Sequence, residues 1–369
     1  MSYDVVTLDT NIFVNNHYNL EHGLLAQLSQ FKEGSAQFVL SEIVHRELRR
    51  HLVTATVAKR QRLLSLAREA KESGLLSDDA AKQVAALCNE AATPEDAVTR
   101  RLALFSEVTG MEIVTAASTS IADLLTYYFA ASPPFEPSGA KKKEFPDAIA
   151  LMSLEAWAKT HDLKLLAISQ DAGWAAYAAN SSHIDVQPEL AIALSSFQTQ
   201  HSQARAFVES LMHAANNGQA PAFEKYIEFE LADVVPELEI TAVANSREDF
   251  TAGRLRLKLL HVKLSAQDGT SSVTIVRTGA NRIAFTVLAT LTVAAEATFV
   301  FHGWEDEQGS YDYESSDIDH EDWFEANLLF DLHTTGFFPE IQSVEILDHA
   351  DEFDFGDIES NAAYFARRD

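Results

Sequence analysis

The chain has 369 residues, 47% of them hydrophobic and 22% charged, enough apolar material for a sizeable core, which excludes a disordered scaffold. A formal net charge of −27 excludes a protein that coats nucleic acid through a broad basic surface, yet leaves room for a small cationic or metal-loaded site. Length alone predicts about two domains, and the single Cys88 has no partner for an internal disulfide.

The first residues, MSYDVVTLD, place acids at Asp4 and Asp9 and lack a basic stretch followed by an apolar one, so a cytoplasmic chain is expected. The runs Val5 to Leu8, Gln37 to Leu40 and Leu163 to Ile168 read as short buried strands, each followed by a helical pattern, which predicts a parallel sheet with helices on its faces. Between Glu42 and Val108 the pattern is helical almost throughout, broken at Gly74 and at Thr93-Pro94, which predicts three or four helices. A loop from Ala131 to Phe145 contains SPPFEP and three lysines. It leads into a helix from about Pro146 to Lys159, with proline suitably placed in the first turn.

The composition then changes. Residues 1–200 hold 17 Lys/Arg against 24 Asp/Glu, whereas residues 201–369 hold 11 against 31, and a domain boundary is expected near residue 200, giving domains 1–197 and 198–369. After a helix from about Phe197 to Asn217, strands are expected at Leu238 to Ala244, Leu255 to Leu264, Val273 to Arg277, Trp323 to Leu332 and Ile341 to Leu347. The longest apolar stretch, Ile283 to Phe301, carries Glu296 and four threonines. Its odd positions, from Ile283 and Phe285 through Leu291 to Phe299 and Phe301, share one parity, as in a strand with one buried face and not in a membrane span. From Ile283 to Ala366 there is no Lys or Arg, against 20 Asp/Glu. The run WEDEQGSYDYESSDIDHEDWFE is read as a solvated acidic loop. The alternatives are a mimic of nucleic acid that gates a basic rim, a dock for a basic partner, or a Ca²⁺ site, although the spacing lacks the Gly and bidentate Glu of an EF-hand.

Four carboxylates stand out by position. Asp9 follows the run VVTL directly and Asp171 follows the run KLLAI closely, so both are placed at carboxyl ends of parallel strands, the edge where open α/β sheets bind ligands. Asp147 opens the helix of KKKEFPDAIALMSL, and Glu47 lies in the helix SEIVHRELRRHL, which starts from the same edge. Singly, each has an ordinary reading: Asp9 as a turn residue, Asp171 as a helix cap, Asp147 as a partner for a helix dipole. Jointly they predict one acidic pocket, which repulsion between like charges makes costly unless a proton or cation compensates. Oxygen-only ligands suit Mg²⁺ or Mn²⁺ better than Zn²⁺.

The four segments VVTLDTNIFV, SEIVHREL, FPDAIAL and LLAISQDAGW, in that order, resemble the PIN-domain nucleases, including toxin-like and defence-type ribonucleases, over residues 1–195. The resemblance implies an α/β fold, a doubly wound α/β/α PIN-like domain with a parallel sheet, followed here by a β-rich α+β domain. It implies Mg²⁺- or Mn²⁺-dependent endonuclease hydrolysis of phosphodiester bonds, RNA favoured over DNA, in a toxin-like or anti-phage setting. Asp9, Asp147 and Asp171 would be metal ligands, Glu47 would bind metal or orient the attacking water, and Thr10, Asn11 and Ser169 would hold that shell. Glu42 competes with Glu47 for the second acidic position, but the family spacing favours Glu47. Ser169 stands where the family often has Thr, the helical region before residue 110 is longer than in small toxin-type members, and the acidic second half has no counterpart in them. Arg46, Arg50, Lys142 and Lys143 are candidates for substrate phosphates, as are Arg49 and Lys141, with solvated charge as the plain reading. His45 and His51 read as surface or packing residues. The expected partners are a nucleic-acid substrate, with an antitoxin, activator or other basic partner, or a second copy of the chain, at the acidic half; no membrane is expected. The rival reading is a non-catalytic PIN-like scaffold whose acidic domain binds a protein.

Overall fold

The computed structural model describes residues 3–90, 92–135, 144–198, 201–265, 272–305, 309–334 and 339–360. The chain divides into two compact units, Met1–Phe197 and Gln198–Asp369.

In the first unit five short strands, β1 (Val5–Leu8), β2 (Gln37–Ser41), β3 (Glu112–Val114), β4 (Leu165–Ile168) and β5 (Ile184–Gln187), form one sheet in the order β3-β2-β1-β4-β5. Every pairing is parallel. β1 and β4 read VVTL and LLAI and are buried at every position, as expected of parallel strands covered by helices on both faces. The chain runs outward from β1 to β2 and β3, then crosses back to β4 and β5, so strand order reverses between β1 and β4. That reversal opens a crevice at the carboxyl edge of the sheet.

Helices α1 (Thr10–Asn15), α2 (Gly23–Ala26), α3 (Glu42–Glu72), α4 (Asp78–Glu90), α5 (Pro94–Thr109), α6 (Ile121–Ala130), α7 (Phe145–His161), α8 (Ala172–Ala178) and α9 (Leu190–Ser196) flank this sheet. Three of them, α3 to α5, fill the long helical stretch, and their limits follow capping chemistry. Ser41 opens α3 by accepting the Ile43 amide at 3.3 Å, while Thr93 accepts the Asp96 amide at 3.1 Å ahead of Pro94. α5 ends at Gly110 with φ +70°, where a Cβ would lie 3.0 Å from the Lys32 Cα; glycine alone meets both demands. β3 and β5 escape the sequence reading because three residues, EIV, and the mixed run IDVQ carry too little periodicity.

The second unit is strand-rich. After α10 (His201–Asn216) and α11 (Pro221–Ala232) come β6 (Thr241–Asn245), β7 (Asp249–Ala252), β8 (Arg256–Lys263), β9 (Val273–Gly279), β10 (Arg282–Glu305), β11 (Gly309–His333), β12 (Glu340–His349) and β13 (Glu352–Asp357). β10 is the spine: β11 pairs along its whole length on one edge, and β9, β8 and β7 share the other. Phe285, Val287, Ala289, Leu291, Val293, Ala295, Ala297, Phe299 and Phe301 are all buried and form the core of this unit with Phe324, Leu328 and Phe330. Phe285 and Phe330, opposite each other in the ladder, stack with ring centroids 5.0 Å apart.

The acidic run corrects the sequence reading. Its described part from Gly309 onward is the first two-thirds of β11, paired antiparallel with β10 from Glu305 to Thr290, and not a solvated loop. Exposure alternates strictly, with Ser315, Asp317, Asp319, Glu321 and Trp323 exposed and Ile318, His320 and Phe324 turned inward. A period of two therefore runs beneath the high charge density. Among the described residues no helix is long and apolar enough to cross a membrane.

Leu291 is fully buried opposite Phe324. Leu291→Ala is expected to destabilise the second unit by about 2–5 kcal/mol through lost transfer energy and a residual cavity, read as an earlier urea-unfolding transition.

Candidate active site

The crevice between β1 and β4 is lined from the main chain outward. β1 delivers Asp9, whose amide donates to the Ile168 carbonyl at 2.9 Å, so the first carboxylate is fixed to the end of β4. The residue is only 6% exposed. Asp9 Oδ1 accepts the Thr10 amide at 2.6 Å, and Oδ2 accepts the Ser169 hydroxyl at 2.6 Å. Ser169 Oγ in turn accepts the Asp171 amide at 3.0 Å and the Asn11 side-chain amide at 3.4 Å. One buried hydroxyl thus joins the segments that follow β1 and β4.

Glu47 reaches this network from the second turn of α3, where its Oε2 accepts the Thr10 hydroxyl at 2.8 Å. Asp147, in the first turn of α7, accepts the indole N–H of Trp174 at 3.2 Å. Asp171 caps α8, its Oδ1 taking the amides of Gly173 at 2.7 Å and Trp174 at 3.2 Å. A Cβ at Gly173 would lie 2.8 Å from that oxygen, so a larger residue there would push the carboxylate out of its cap. The fully buried Trp174 therefore holds two carboxylates at once, one through its backbone and one through its ring. Sequence reasoning missed Trp174, because its ring partner Asp147 lies 27 residues away in the chain, although a buried indole does need a hydrogen-bond acceptor.

Electrostatics shows that the four groups share one environment. Burial pushes the Asp9 carboxyl up to about 6; the hydrogen bonds from Ser169 and Thr10 oppose this, and the charges of Asp171 and Glu47 add to it. Burial likewise raises Asp147 to about 7, opposed by Trp174 and reinforced by Asp9, Asp171 and Glu47. Glu42 is engaged elsewhere, accepting the Ala116 amide at 3.0 Å, the Thr115 hydroxyl at 3.2 Å and the Arg46 guanidinium at 2.5 Å; these bonds, led by that of Ala116, lower its pKa. Arg46 is thus tied to Glu42. Arg49 and Arg50 are exposed one turn further along α3, and Lys142 and Lys143 lie outside the described residues, as does Lys141. His51 contacts the Tyr18 hydroxyl at 3.1 Å.

The donor set is all oxygen and fits a hard divalent ion. Asn11 Oδ1 beside it is buried with no hydrogen-bond partner, an acceptor available to an ion or its water. Among the described residues no three acidic, His or Cys side chains are gathered closely enough to enclose a metal. A hard ion that keeps several of its waters needs few protein ligands.

The sheet reverses its strand order where these carboxylates gather, the edge at which open α/β sheets bind ligands. Residues 6–174 match the family model of the PIN domain, and the first unit is a PIN domain. PIN domains are generally nucleases, hydrolases that bind nucleic acid and typically use divalent metals. No curated protein and no solved structure matches the chain.

Asp9 and Asp147 both have pKa values raised above the ordinary carboxyl value of 3.8, so between about pH 4 and pH 7 the folded state binds more protons than the unfolded state. Stability of the metal-free protein is therefore expected to be greatest at and below about pH 4, as far as these two groups govern it, and to fall as pH rises to about 7, by about 2 kcal/mol for Asp9 and about 3 kcal/mol for Asp147. Thermal melts in chelator across this range check the sign. Asp147→Asn should flatten the slope, and a slope unchanged in that variant would show that Asp147 is not the group responsible.

Proposed function

We propose that the first unit is a metal-dependent endonuclease that hydrolyses phosphodiester bonds, RNA favoured over DNA. The observation that carries this reading is the convergence of Asp9, Glu47, Asp147 and Asp171, from four separate segments, at the sheet's switch point, where Asp147 feels the charge of the other three and Asp9 that of Asp171 and Glu47.

Asp9, Asp147 and Asp171 would hold Mg²⁺ or Mn²⁺. The ion, when bound, lowers the pKa of a water and stabilises the charge that develops on the phosphate. Asp9 is the rigid member, immobilised by Thr10 and Ser169. Asp147 carries a proton part of the time near neutral pH and releases it when a cation approaches. Glu47, steadied by the Thr10 hydroxyl, orients the attacking water and takes its proton. Asn11 directs its free oxygen into the same shell, a role that commonly fixes ligand geometry. Arg49 and Arg50 are the described cations, among those considered, left for substrate phosphate, since Arg46 is engaged with Glu42. A toxin-like or anti-phage setting is the biological context that fits such an activity.

The test is cleavage of labelled single-stranded RNA, double-stranded RNA and DNA by the purified protein with Mn²⁺, Mg²⁺ or chelator. Cutting should require metal and prefer RNA. Asp9→Asn should reduce it below detection while leaving the melting temperature in chelator equal or higher, because a buried like charge is removed. Wild-type cleavage by Asp9→Asn would overturn the site assignment. No cutting under any condition would favour a binding module instead.

A further inference from the structure

Among the described residues of the second unit, one long sheet edge has no partner strand. β12 pairs with β11 only from His333 back to Ala326. Among the described residues no strand pairs with the outer edge of β11 from Gly309 to Glu325, although its inner edge is bonded to β10 throughout. The Trp323 amide shows which way this edge faces: it is taken up by the side chain of Asp322, at 2.8 Å. The ladder with β10 has no register shift from Glu314 to Glu325, so Asp319 and Glu321, which share the parity of Trp323, present their amides outward with it.

Where β12 stops, a cavity of about 530 Å³ begins, lined by Trp323, Glu325, Asp348, His349, Glu352 and Asp354, among others. Its lining joins the unpaired part of β11 to the end of β12 and the residues that follow it. At its mouth the His349 amide, like that of Trp323, is taken up by the preceding carboxylate, Asp348 Oδ1, at 3.0 Å. Trp323 stands 43% exposed, and no Lys or Arg occurs from Ile283 to Ala366.

We infer that this edge is a docking site for an extended basic segment of a partner protein, which adds as a strand beside residues 314–325 and continues the line of β12. Strand addition supplies main-chain hydrogen bonds, and alternate side chains supply specificity. Lys or Arg at every second position would meet Asp317, Asp319 and Glu321, with one cation seated over the Trp323 ring. Charge on an edge is a known protection against pairing with the same chain. A second copy brought antiparallel to this edge would set carboxylates against carboxylates, which is unfavourable, so the occupant is an oppositely charged strand. The inference does not rest on the nuclease reading and stands or falls without it.

The test uses the full chain and a short fluorescent peptide of alternating Lys and Val, read by anisotropy at low and high salt. Three comparisons accompany it: the same peptide N-methylated on alternate amides, its Glu counterpart, and the protein variant Glu321→Pro. Proline is tolerated on an edge strand where its nitrogen faces solvent, and it removes one outward donor. The Lys/Val peptide should bind and should weaken with salt. N-methylation and Glu321→Pro should each weaken it by about tenfold or more, a difference of about 1.4 kcal/mol, and the Glu peptide should not bind. Equal binding of the N-methylated peptide would reduce the site to bulk charge attraction and overturn strand addition. So would no binding of the Lys/Val peptide, or self-association that Glu321→Pro abolishes. If Glu321→Pro fails to fold, the N-methylated peptide against the unaltered protein decides alone, and Trp323→Ala, which leaves the backbone intact, should still lose affinity.

Discussion

Like charges brought together at the end of a sheet repel, and the first unit is organised around bearing that cost. Asp9 cannot withdraw, because its amide is bonded to the Ile168 carbonyl and its two oxygens to Thr10 and Ser169. Asp147 and Asp171 are held through one indole residue. The repulsion is met partly by hydrogen bonds and partly by protons retained near neutral pH. On the proposed reading a divalent ion would displace those protons, so the strain in the metal-free form and the affinity for the ion would have the same origin.

The same constraint explains why the ordinary and the functional readings of these residues coexist. Asp171 is a helix cap, since one of its oxygens takes two amides of α8. Asp9 caps α1 through Thr10. Capping does not compete with a role at the metal; it fixes the direction in which the remaining lone pairs point. Ser169 makes the point most economically: one hydroxyl donates to Asp9 and accepts from Asp171 and Asn11, so a hydroxyl, whether of Ser or Thr, is what the position demands.

The parallel sheet was legible from VVTL and LLAI because a strand buried on both faces has no choice but to be apolar, whereas the doubly wound order came from the resemblance of the four motifs to the PIN-domain family. The four carboxylates were legible because strand ends and helix starts leave marks in sequence. What stayed hidden had weak local signals. β3 and β5 are too short or too mixed, and α11 follows a loop rich in small polar residues. The pairing of Trp174 with Asp147 joins positions 27 residues apart, a tertiary fact with no local trace. In the acidic run, charge density masked an alternation that Ile318, His320 and Phe324 nonetheless keep.

The unbroken ladder between β10 and β11, which runs from Arg282 to Phe301 before its one register shift, has a consequence for how this unit can change in length over time. A strand's faces alternate at every residue, so losing or gaining a single residue within that span would turn the whole row of buried side chains beyond it outward. Losing or gaining two would keep every face in place. Tolerance to insertions and deletions in β10 is therefore a matter of parity, with even steps survivable and odd steps absorbed only where the ladder already slips, and a length-scanning series should show stability alternating between the two.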